Sequence, residues 1–67
     1  MKRATPATSK LVAKLTEGLI GEVKAAEMYE KGARLASSKL QRDTFHTLIA
    51  GKKKHAQDIS DLIDRIE

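Results

Sequence analysis

The sequence predicts an all-α fold: an antiparallel hairpin of two long helices that closes into a four-helix bundle with a second copy of itself. Three observations carry this expectation. Apolar residues recur at spacings of three and four along two long stretches of the 67-residue chain, the pattern of helices with one apolar seam. Only Ser37-Ser38 interrupts them, and so short a connection makes the two helices antiparallel neighbours. A chain of this size buries only about 60% of its unfolded surface and is marginal alone. With no cysteine it cannot be stapled by disulfides, which leaves a metal, an exceptional core or a partner chain.

The first helix is expected over about residues 9–36, behind a basic tail of residues 1–8. Thr5-Pro6 is a good helix start, an N-cap followed by proline at the first helical position, and Ser9 is an alternative cap. The seam then runs Val12, Leu15, Leu19, Glu22, Ala26, Tyr29, Ala33, Ala36. Ser38, with Gln41 three residues on, reads as a capping box and opens a second helix over about residues 39–66. Its seam reads Phe45, Leu48, Lys52, His55, Ile59, Leu62, Ile66. Each helix is then roughly 40 Å long. Leu11, Ile20, Val23, Leu40, Ile49 and Ile63 widen the apolar stripe beyond what one neighbour covers, and two-fold pairing of hairpins is the simplest closed solution.

Composition narrows the function classes. No apolar run is long enough for a signal peptide or a membrane span, so a soluble, cytoplasmic protein is expected. The net charge of +4 and pI of about 9.6 permit an acidic partner, nucleic acid included. However, acidic residues are interspersed with the basic ones. Lys52, Lys53 and Lys54 point about 100° apart in turn on a helix and share no face. A basic nucleic-acid-associated protein is therefore the third of three readings.

The informative feature is a polar layer inside the seam. Glu22 interrupts the apolar series of helix 1, and Lys52 and His55 fill the gap in helix 2. Glu22 lies about fifteen residues before the turn, and the other two about fourteen and seventeen after it, so all three fall at one level. Buried charge is costly unless paired or ligated. One reading is a structural ion pair, Glu22 with Lys52, beside a neutral, hydrogen-bonded His55, a layer that sets register or oligomeric state. The other is a metal site, since carboxylate and imidazole facing each other in a four-helix bundle ligate iron or manganese. His46 is expected at the surface, and Glu17 and Glu27 face away from the layer.

Gly21-Glu22-Val23-Lys24-Ala25-Ala26-Glu27-Met28-Tyr29 and the stretch from Phe45 through Gly51-Lys52-Lys53-Lys54-His55-Ala56 resemble the ferritin-like superfamily, most closely its rubrerythrin branch. The first matches a ligand Glu followed seven residues later by a Tyr, the second a Glu-x-x-His helix with Ala after the His. The resemblance spans roughly Leu15 to Leu62. It implies a half-bundle that dimerises, as in small encapsulated ferritin-like proteins, with the site assembled between chains. It carries Glu22 and His55 over as ligands of iron or manganese, and Tyr29 as a second-sphere or redox residue. The family Glu of Glu-x-x-His is Lys52 here, so bridging carboxylates are missing and a lysine ammonium stands in the place of metal charge. The leading expectation is therefore a self-associating hairpin with a degenerate site, structural or a subunit of a larger assembly. The alternative is an iron- or manganese-binding module for iron handling or peroxide or oxidase chemistry.

Overall fold

A computed structural model describes residues 6–66. Helix α1 covers Pro6–Leu35 and helix α2 covers Lys39–Ile66, 30 and 28 residues long, packed side by side as a hairpin. The molecule is a rod of 51 × 15 × 13 Å. Helix α1 already runs at Pro6, in agreement with the Thr5-Pro6 start and three residues ahead of the start at about residue 9, so Pro6, Ala7 and Thr8 are helical rather than tail, and the alternative cap Ser9 is an interior residue. The Thr5 cap lies outside the described residues, as do residues 1–5 of the expected basic tail.

The turn is built from side-chain hydrogen bonds. Leaving α1, the Ala36 amide donates to the Ala33 carbonyl at 3.3 Å, a tight last turn that occupies one of the orphan carbonyls of the helix end. Ser38 Oγ accepts the Gln41 amide at 3.1 Å, the first half of the expected capping box. The second half is shifted by one residue. Gln41 Oε1 accepts the Ser37 amide at 2.8 Å and the Ser37 hydroxyl at 3.1 Å, so the glutamine ties down the residue before the cap. No described residue has a positive φ, so the chain reverses without a left-handed residue.

The α1 seam is the expected one, but the α2 seam is rotated. Phe45, Ile49, Lys52, Ala56, Ile59, Ile63 and Ile66 turn inward, buried or half-buried, whereas Leu48, His55 and Leu62 are exposed. Ile49, Ala56 and Ile63 replace the three residues expected at alternate seam positions. Rotation by one position also leaves the His55 head wet, which avoids the cost of burying an imidazole without partners. Lettering the heptad with seam positions a and d, Val12, Leu19, Ala26 and Ala33 are a on α1, and Ile49, Ala56 and Ile63 are a on α2.

The core is thin. Among the described residues only Ala26 and Ile49 are buried, at 7% and 8% exposure, and no side chain is fully enclosed. The accessible surface is 5320 Å², against about 4,200 Å² for a compact monomer of 7.4 kDa. Leu35 and Leu40 flank the turn at 85% and 77% exposure. The tightest packing is nearby, where Tyr29 and Phe45 tilt against each other with ring centroids 6.4 Å apart. A methyl group added at Gly32 would lie 2.6 Å from the Phe45 ring.

That contact generates a test. Alanine usually stabilises a helix relative to glycine, but Gly32→Ala is expected to lower stability by about 1 kcal/mol because the Phe45 ring, held by Tyr29, must shift. Phe45→Leu should reverse the sign, making Gly32→Ala stabilising in that background. Urea denaturation followed by circular dichroism decides; a stabilising Gly32→Ala in the parent chain would refute the close packing.

Candidate functional site

Glu22 sits at seam position d of α1, with Leu19 and Ala26 on the turns before and after it. Lys52 is at position d of α2, flanked by Ile49 and Ala56. Antiparallel pairing brings them together as the sequence predicts: Lys52 Nζ lies 3.2 Å from Glu22 Oε2. His55 reaches the same oxygen from the edge of the seam, with Nδ1 at 3.6 Å. The two partners of the ion pair are 23% and 29% exposed, but the His55 side chain is 60% exposed. The layer is thus a half-dry carboxylate–ammonium pair with a wet imidazole at its rim.

Glu22 Oε2 is itself buried and accepts no hydrogen bond. Both nitrogens stand at Coulombic distance without aiming a proton at it. A buried oxygen without a directed hydrogen bond calls for an explanation, and a water or an ion is one of several. Within a single chain, however, the donor set does not fit a metal. Among the described residues no three His, Cys, Asp or Glu side chains gather where an ion could be held. The nearest cation to the carboxylate is Lys52, whose charge opposes another cation there.

Tyr29 lies two helical turns beyond Glu22, roughly 10 Å along the axis, and packs on Phe45. It belongs to the turn end of the rod. Glu17 is exposed and pairs with Lys14 at 3.4 Å, and Glu27 is exposed; neither joins the layer, as expected. His46 is exposed on the flank opposite His55. There Glu30, Ala33, Arg34, His46, Ile49 and Lys53 line an open groove of about 420 Å³. Sequence reasoning did not single out this groove, because it depends on which side of the seam Glu30 and Lys53 share.

The lysine run is dispersed. Lys52 meets Glu22, Lys53 meets Glu30 at 3.8 Å, and Lys54 meets Asp58 at 2.5 Å. The hydrogen bond to Asp58, aided by the charge of that carboxylate, holds the Lys54 ammonium above the usual lysine range. Each ammonium has a carboxylate partner on a different side of α2, unlike the clustered basic face of a nucleic-acid binder. No helix among the described residues is long and apolar enough to cross a membrane.

Neither a protein-family model, nor a curated protein, nor a solved structure matches the chain.

The ion pair can be tested by a double-mutant cycle. Truncating one member leaves the other half-buried and unpaired, so Lys52→Met and Glu22→Leu should each cost about 1 kcal/mol, the partial exposure reducing the effect well below that of a dry pair. The double variant should be as stable as the parent or more so by about 1 kcal/mol. Additive losses in urea denaturation would show that the two side chains do not interact.

Proposed function

We propose that this protein is a self-associating helical hairpin, a ferritin-like half-bundle whose Glu22–Lys52–His55 layer is structural and whose role is assembly rather than catalysis. The single observation that carries the reading is the surface: about 1,100 Å² more than a compact monomer of this mass exposes, beside a core of two buried residues among those described. A standard protein interface takes about 800 Å² from each partner, so a second hairpin accounts for the excess. The charged layer supports the same reading. A pair that is half-wet in one chain becomes a buried, register-setting layer when another hairpin covers it.

The orphan oxygen of Glu22 favours a second reading, an iron or manganese site shared across a dimer, to which two chains would bring two Glu22 and two His55. In that reading Glu22 and His55 hold the ion, which would supply redox or Lewis-acid chemistry, and Lys52 keeps the parent site weak. A basic nucleic-acid-associated role ranks third, since Lys52, Lys53 and Lys54 are individually paired.

Two measurements test these readings. Sedimentation equilibrium from about 1 to 100 µM should show dimer or higher species, and the thermal midpoint should rise with chain concentration; a monomer throughout refutes the assembly reading. Metal retained after anaerobic Fe(II) loading and desalting separates the other two. Lys52→Glu is expected to retain iron where the parent retains little, because the substitution restores a carboxylate and removes the competing charge. Failure of Lys52→Glu to bind would refute the assigned site geometry.

A further inference from the structure

The two flanks of the rod differ in chemistry. All four glycines of the chain, Gly18, Gly21, Gly32 and Gly51, fall at heptad positions c or g, which lie on one side of the seam. The opposite side, positions b and e, carries the Glu30–Lys53 pair with Glu27 and Arg34 beside it, together with exposed Ile20 and Val23. One of the glycines answers to a contact within the chain: a methyl at Gly32 would strike Phe45, whereas one at Gly18 would make only an ordinary contact with Ile59 at 3.9 Å. Gly21 and Gly51 have nothing within 4 Å of the position a methyl would take. Each lies near the midpoint of its helix, where glycine is disfavoured, and nothing in this chain requires it.

We propose that the glycine-bearing flank is the surface on which a second copy of this chain docks, with Gly21 and Gly51 at the crossing point. The proposal rests on the assembly reading and specifies its face. Absence of a side chain at two central positions lets another backbone approach closely. The occupant is a second copy because the surplus surface, about 1,100 Å² by mass scaling, matches what one partner contributes to a stable interface. A two-fold axis through the middle of the rod is also self-complementary on this flank. It brings Leu11 and Leu62, about 15 Å from the crossing point towards the open end of one copy, near Met28, about 10 Å towards the turn end of the other, and leaves Leu48 beside the crossing point itself, all four of them exposed in the single chain. His55 lies on the same flank, so the second copy covers the Glu22 carboxylate and brings its own imidazole to that side.

The test compares neighbouring residues on opposite flanks. Gly51→Glu places a carboxylate in the crossing point, whereas Ala50→Glu places one on the b/e flank, where Ala50 is exposed. Sedimentation equilibrium is expected to show that Gly51→Glu raises the dimer dissociation constant at least about tenfold, through burial of an unpaired charge, with Ala50→Glu close to the parent. A dimeric parent that tolerates Gly51→Glu, or is weakened as much by Ala50→Glu, overturns the face but leaves the assembly reading standing. A monomeric parent removes both. Cross-linking guards against loss of helicity in Gly51→Glu. In a chain without cysteine, Gly51→Cys should be joined to a second copy by a short bis-maleimide and Ala50→Cys should not; the reverse pattern overturns the face.

Discussion

Two helices cover each other along one line only, and most features of this molecule follow from that constraint. Each seam residue has a neighbour on one side and water on the other, so residues that a bundle core would bury are left half-buried. Among the described residues only Ala26 and Ile49, small or centrally placed against the facing helix, are buried. The large apolar side chains next to the seam, Leu11, Leu48 and Leu62 among them, have no second neighbour within the chain. An amphipathic stripe this wide is satisfied only by more than one packing partner.

The same thinness makes the polar layer tolerable. In a dry interior, Glu22 and Lys52 would lose several kcal/mol of hydration each before their attraction offset it. Here each keeps about a quarter of its surface in water, and the pair holds without a directed hydrogen bond to the buried oxygen. His55 stays at the rim, where the rotation of α2 leaves it wet. A charged layer of this kind contributes little to the stability of one hairpin. A hairpin packed over it would need a register that leaves each charge paired.

Outside the seam the charges are arranged locally. Lys14 with Glu17, Lys39 with Asp43 and Lys54 with Asp58 are pairs three or four residues apart on one helix, each adding a few tenths of a kcal/mol to helix stability. They keep both helices soluble on their outer faces and divide the net positive charge among separate surfaces. The turn is comparably local, since Ser37, Ser38 and Gln41 satisfy one another within a span of five residues.

Sequence alone determined the two helices, their turn and the meeting of Glu22 with Lys52 and His55. Each depends on short-range periodicity, on cap chemistry or on equal distances from a tight turn, and all are counted along the chain. The α2 seam was not legible at every position. Leu48 and Ile49, or Leu62 and Ile63, are adjacent apolar residues that serve a spacing of three or four equally well. Only packing against α1 decided that Ile49, Ala56 and Ile63 face inward. That rotation then placed His55 at an edge and set Lys53 beside Glu30 across a groove. These are facts about which side of a seam a residue occupies. A one-dimensional pattern gives the period of a helix, but its rotation is settled by the neighbour it packs against.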